Sequence, residues 1–185
     1  MMKKVLFLPM LALSLSLMAE RIEPIPFGDM EQWAVRYIKE SKLLGGQTKT
    51  LYCLAPTDTI RKNAPYIFGQ NGNPWATSNA YANVAGIEKA AGTMQPEARE
   101  DGGTCCRLDV DMLSVKAFKI IDIQVLVSGT LFTGRNIEPI TTAADPYQNI
   151  DFGVPFTERP SALMFDYKCV IEQEGWYWYA KGLGA

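Results

Sequence analysis

The chain has 185 residues, with 18 basic residues against 20 acidic ones and no histidine. Without an imidazole, Ser-His-Asp and Cys-His nucleophile activation are excluded within this chain, as are His-based zinc and non-haem iron sites. The near-neutral charge, with no clustered Lys/Arg patch, gives no electrostatic pull toward nucleic acid or an anionic membrane. No P-loop or dinucleotide-binding glycine pattern occurs. Catalysis, if any, is left to carboxylates, tyrosines, lysines and cysteines.

The first nineteen residues read as a secretory signal peptide. Lys3 and Lys4 precede an apolar run over residues 5–18, and Ala19 is the expected last residue before cleavage. That run is too short to span a bilayer comfortably. Without Lys3 and Lys4, 16 basic residues face 20 acidic ones, a charge of about −4. Residues 20–185 are expected to form one exported domain, periplasmic, on the cell surface or extracellular. An oxidising compartment allows Cys53, Cys105, Cys106 and Cys169 to pair, in any of three ways; buried free thiols are the equal alternative.

Residues 20–28 form a Pro-punctuated lead-in. Residues 29–44 are ambiguous. Met30, Trp33, Ala34, Tyr37 and Ile38 share one helical face, yet Trp33, Val35 and Tyr37 also alternate as in a strand. Local pattern slightly favours helix. Gly45-Gly46 marks a turn, and a strand is expected over residues 49–54. Residues 63–79, rich in Asn, Gly and Pro, read as a long surface loop carrying Trp75. Residues 80–93 are small and weakly periodic, and residues 96–104 form a charged turn.

Next, Cys106, Leu108, Val110 and Met112 alternate with Arg107, Asp109 and Asp111, and Ile121, Ile123, Val125 and Val127 share a strand face. Residues 138–150 read as a second long loop. The motif Phe-Thr-x-Arg occurs twice, as Phe132-Thr133-Gly134-Arg135 and Phe156-Thr157-Glu158-Arg159. Both copies are expected to be turns, the second braced by Pro155 and Pro160. After it, Leu163, Phe165, Tyr167, Cys169 and Ile171 alternate with more polar neighbours, the signature of a half-buried strand. A last strand is expected at Trp176-Tyr177-Trp178-Tyr179. Short alternating strands joined by Gly/Pro/Asn loops predict an all-β antiparallel sandwich or jelly roll.

The elements Ser128-Gly129-Thr130-Leu131-Phe132-Thr133-Gly134, Asp151-Phe152-Gly153-Val154-Pro155-Phe156, Arg159-Pro160 and Phe165-Asp166-Tyr167-Lys168 resemble, in order and spacing, the Putative Carbohydrate Metabolism Domain (PCMD) family. Upstream, Phe27-Gly28-Asp29-Met30-Glu31-Gln32-Trp33, Pro74-Trp75-Ala76-Thr77-Ser78-Asn79 and Asp101-Gly102-Gly103-Thr104-Cys105 are similar to it as well. The resemblance implies an exported jelly roll like a carbohydrate-binding module, and a strand rather than a helix over residues 30–44. It also implies strands beyond Tyr179, so that a chain ending at Ala185 is C-terminally truncated. It carries over no catalytic residue.

Sugars offer apolar C–H faces to aromatic rings and hydroxyls to planar polar groups. On that chemistry the expected ligand contacts are Trp75 with Asn79, Tyr147, and the Trp176 and Trp178 pair, with Arg135 and Arg159 able to fork onto hydroxyls or a sugar carboxylate. The competing role for Trp33 is core, and for the arginines a brace on backbone carbonyls or on a carboxylate such as Asp151 or Glu158. Asp109 and Asp111 could sit at a glycosidase's carboxylate spacing, but a solvated strand face explains them equally. No cofactor is expected. A structural calcium on loop oxygens near Asp29 or Glu31 finds no EF-hand spacing. The expected function is non-catalytic glycan binding as an accessory in polysaccharide use. The alternatives are a carboxylate-dependent glycoside hydrolase and a structural or adhesive surface protein that meets partners through sheet edges.

Overall fold

The computed structural model of the chain describes residues 21–117, 121–142 and 144–170. The expected signal peptide and the strand expected around Trp176 and Trp178 lie outside the described residues. The chain divides into two units at Val154–Pro155. The first is an all-β antiparallel sandwich, and its strands follow from local chemistry that the sequence only partly displays.

β1 (Trp33–Lys39) pairs antiparallel with β2 (Thr48–Leu54), with Arg36 opposite Leu51 and Ile38 opposite Lys49. The strand reading of residues 30–44 therefore holds over the helical one. Tertiary burial decides it: Ile38 and Leu51 enter a core cluster with Tyr81 and Ala90, while Val35 and Tyr37 stay exposed, a period of two. A short 3-10 turn, Lys42–Leu44, closes the hairpin, with Gly45 in the left-handed region at φ 103°.

The supposed long loop of residues 63–79 contains two short strands, β3 (Tyr66–Phe68) and β4 (Trp75–Thr77). Its Asn-Gly stretch is only the connection between them. β5 (Ala80–Val84) and β6 (Ile87–Ala91) form a hairpin across Ala85-Gly86, both at positive φ, the geometry of a tight primed turn. The charged turn links β7 (Met94–Ala98) to β8 (Thr104–Leu108). The expected single strand through Asp109 is broken there: the Asp109 N–H donates to Thr93 O, and its carbonyl accepts from Gly129 N–H. β9 (Val110–Ala117) and β10 (Ile121–Ser128) then pair in register, Asp111 opposite Val127.

β11 (Leu131–Glu138) is the hub. It pairs with β12 (Ile150–Phe152) along one edge, and with β3 and β4 one after the other. The first Phe-Thr-x-Arg copy is therefore strand rather than turn. Where its partner changes from β4 to β3, Gly69 at φ 74° comes so close to Gly134 that a Cβ would collide with the Gly134 carbonyl. Only glycine allows that approach.

Two buried polar groups bind the layers together. Asn79 is 4% exposed, and its amide donates to Tyr52 O and Met94 O while accepting from Thr93 N–H and Met94 N–H, at 2.7–2.9 Å. From β1, Arg36 reaches Glu138 of β11 at 2.7 Å. The contact at Oε2 is a close charge pair rather than a well-aligned hydrogen bond. Glu138 Oε1 accepts the Tyr81 N–H at 2.9 Å, Arg36 Nε donates to Cys53 Sγ at 3.2 Å, and the guanidinium lies 5.2 Å from the Phe68 ring centre.

The second unit differs from expectation. Residues 155–170 hold no regular structure and are exposed, although residues 163–170 carry a strand's alternation.

Burial, partly offset by Arg36, pushes the Glu138 carboxyl above its ordinary range. A raised folded value means the favourable contribution is full below the ordinary Glu range and is lost as pH rises through the raised value. We therefore expect Glu138→Leu alone to cost about 3–5 kcal/mol by stranding Arg36 in the interior, and the double variant Arg36→Met, Glu138→Leu to recover most of it. Urea unfolding across pH checks both points. The decline in stability above the ordinary Glu range should vanish in the double variant.

Candidate functional site

β11 gathers the polar and aromatic residues that matter onto one face. Its side chains alternate: Gly134, Asn136 and Glu138 are buried while Arg135 and Ile137 are exposed, and the period of two puts Phe132 on the inward face and Thr133 on the outward one. Antiparallel register carries the same face onto the neighbours. Trp75 of β4 lies opposite Thr133, and Asp151 of β12 lies opposite Arg135. An indole, a hydroxyl, a guanidinium and a carboxylate thus line one outward sheet face, with Trp75 half-buried and Arg135 and Asp151 exposed.

Trp75 is held rather than free to rotate. Its indole N–H donates to Pro26 O at 2.8 Å and its backbone N–H donates to Asn73 Oδ1 at 2.9 Å. The Asn73 amide in turn donates to Leu54 O and Ala55 O. A ring fixed at its polar edge still offers its π-face, the surface a sugar's C–H groups need. Trp33, expected in the core, is half-buried and clamps the same lead-in, its indole N–H donating to Met30 O at 2.6 Å.

The other expected contacts scatter. Asn79 is next to β4 in sequence, but its amide spends both hydrogens and both lone pairs on backbone. Arg159 is exposed in the second unit. The backbone of Tyr147 forms part of a 3-10 turn, Pro146–Asn149. Trp176 and Trp178 lie outside the described residues. Asp151 was legible as a partner for Arg135 and as one of several available carboxylates, and Thr133 was missed. Its period-two relation to Arg135 was visible, but the β4–β11 register was not.

The voids behind this face are small. Arg36, Cys53, Phe68, Trp75 and Asn79 surround one of about 10 Å³, roughly the room of a single water. A second, beside Lys49, Thr93 and Asp111, is about 60 Å³. Neither admits a monosaccharide.

Several of the groups left for catalysis already have partners. A glycosidase needs a raised acid beside a second carboxylate. Glu138 is raised, but it is 1% exposed and faces Arg36. Asp109 accepts from Gln95 Nε2 and Arg107 Nε at 2.8 Å each. Burial, then Glu88, pushes the Tyr81 phenol up to about 12, with its oxygen between Asn63 Oδ1 and Glu88 Oε1. Burial, then Cys105, pushes the Cys106 thiol up to about 12, and burial also raises Cys53, opposed by Arg36. All four cysteines are free thiols. The Glu31 carboxylate, a suggested calcium ligand, instead accepts Thr104 N–H at 2.9 Å and faces Arg99 at 3.4 Å.

Comparison with known proteins adds one finding. The model of the Putative carbohydrate metabolism domain matches residues 57–182, most of the chain, and the chain belongs to that family. No curated protein and no solved structure matches it.

Thiolate, not thiol, reacts with alkylating agents. Iodoacetamide at mildly alkaline pH, read by peptide mass spectrometry, should therefore modify the exposed Cys169 first, the half-buried Cys106 more slowly, and the buried Cys53 only when the protein is unfolded. Labelling of Cys106 as fast as Cys169 would contradict its burial.

Proposed function

We propose that this PCMD-family member is an exported glycan-binding accessory domain in polysaccharide use that performs no catalysis itself. The observation that carries the reading is the shared outward face of β4, β11 and β12, where register sets Trp75 against Thr133 and Arg135 against Asp151. Each group suits a different part of a sugar. The indole face stacks on axial C–H groups, while the guanidinium and carboxylate share hydroxyls as donor and acceptor. The face is open, which suits a chain passing along it rather than a single residue enclosed in a pocket. The family match supports a carbohydrate as partner and names no particular sugar. Export rests on Lys3, Lys4 and the apolar run that follows them.

Non-catalytic binding is favoured over hydrolysis because the raised carboxyl is sealed and ion-paired, and Asp109 is bound by Gln95 and Arg107. The test is an immobilised-glycan array with the mature chain, followed by affinity titration. Trp75→Ala should weaken binding about tenfold, and Arg135→Ala about ten- to a hundredfold. Neither should release reducing sugar or shift the unfolding midpoint as much as the Glu138 variant. Reducing-end release by the wild type, abolished by one Asp or Glu to Ala change, would replace this reading with the hydrolase. Unchanged affinity in both variants would remove the site.

A further inference from the structure

Two fixed points flank the turn between β3 and β4. On one side, Gly69 lies against Gly134 too closely for a side chain. On the other, Asn73 is buried, its amide donating to Leu54 O and Ala55 O and accepting the Trp75 N–H. Between them Asn71 and Gly72 form the tip of a primed turn, with φ of 54° and 87°. The turn is closed by the Asn73 N–H, which donates to Gln70 O at 3.1 Å. Among the described residues no acceptor takes the Gly72 N–H, and a Cβ at Gly72 would meet nothing within 4 Å.

Asn71-Gly72 is the one Asn-Gly pair in the chain. The side-chain amide of an asparagine is an electrophile within reach of the next residue's backbone nitrogen. A side chain on that next residue hinders the approach, and glycine has none and turns freely. Elsewhere this path is closed or slowed. Asn73 precedes Pro74, whose nitrogen carries no proton to lose. Asn63, Asn79, Asn83, Asn136 and Asn149 precede Ala, Val or Ile. In the related Asp101-Gly102 pair, the Gly103 N–H and Arg99 hold the Asp101 carboxyl below its ordinary range, so it stays an ionised and poor electrophile.

We propose that Asn71 is a site of spontaneous modification, converting to isoaspartate through a cyclic imide with Gly72 and thereby unseating the Asn73 clamp beneath Trp75. The Gly72 nitrogen attacks Asn71 Cγ. The new N–Cγ bond forms as the Cγ–Nδ2 bond breaks, and ammonia leaves with the proton that the Gly72 nitrogen gives up. Water then opens the imide. Attack at Cγ leaves ordinary aspartate. Attack at the main-chain carbonyl leaves the chain running through the former side chain, longer by one methylene. Gly69 has no room to absorb that extra atom, so the strain falls on Asn73 and, through its bond to the Trp75 N–H, on β4. The inference goes beyond the glycan reading, and its test needs no glycan.

The mature chain is incubated folded at mildly alkaline pH and sampled by peptide mass spectrometry, with isoaspartate identified by enzymatic methyl transfer from a labelled donor. Amide-to-acid conversion should appear at Asn71 ahead of every other asparagine, and the methyl label should fall on the same peptide. In the converted protein the Trp75 indole N–H resonance should shift. Asn71→Asp places the carboxylate on a backbone of normal length and should leave that resonance at its native position. Asn71→Gln closes a ring far less readily and should keep it there throughout the incubation. Conversion at Asn71 no faster than at Asn83 overturns the proposal, whether or not either variant folds. A converted chain whose Trp75 resonance is unmoved overturns the effect on the clamp, as does an equal shift in Asn71→Asp or in aged Asn71→Gln.

Discussion

A positive and a negative charge are held inside this protein, 2.7 Å apart, by strands far apart in sequence. Arg36 comes from β1 and Glu138 from the end of β11, and the Glu138 carboxylate also accepts the Tyr81 N–H of β5. Three strands must be in register before either charge has a partner. Misregister by one residue would turn Arg36 outward and leave Glu138 buried and unpaired, at a cost of several kcal/mol. The pair is thus a poor source of net stability and a strong constraint on which arrangement of strands is allowed. Asn79 acts similarly without charge, since its four amide bonds fit only when β2 and the start of β7 meet around it.

The same constraint builds the outward face. With Glu138, Asn136 and Gly134 turned inward, Thr133 and Arg135 have to point out, and β4 and β12 bring Trp75 and Asp151 beside them. The buried clamp and the exposed aromatic-and-charged face are two sides of one strand. This separation also accounts for the raised titration of the inward-facing groups. Glu138, Cys53 and Cys106 are raised because burial penalises their charge; Glu138 and Cys53 are buried and Cys106 half-buried.

How much of this could be read from the residues varies by element. β10 was legible because its apolar alternation ran the length of the strand, and β2 because the Gly45-Gly46 turn marked its start. β1 carried both periods at once, and only the burial of Ile38 against Leu51 and Tyr81 settles it as a strand. β3 and β4, three residues each, are too short to show a period inside an Asn/Gly-rich stretch. The 163–170 segment failed in the opposite way: its pattern is strong, but a pattern states that a partner is wanted and not that one is found within the described residues. Trp75 and Arg135 could be nominated singly from their chemistry. Their meeting on one face could not, because it depends on β4 pairing with a strand more than fifty residues away. Asn79 looked like a ligand contact for the same reason it is a good internal brace: its amide offers both donors and acceptors.

The most direct test of the binding face is a backbone amide NMR titration of the mature chain with an oligosaccharide that scores on the array. Binding to this face predicts shifts concentrated at Trp75, Thr133, Arg135 and Asp151, with the Trp75 indole N–H among them. Shifts confined to another surface, such as the exposed Val35 and Tyr37 side of β1, would contradict it.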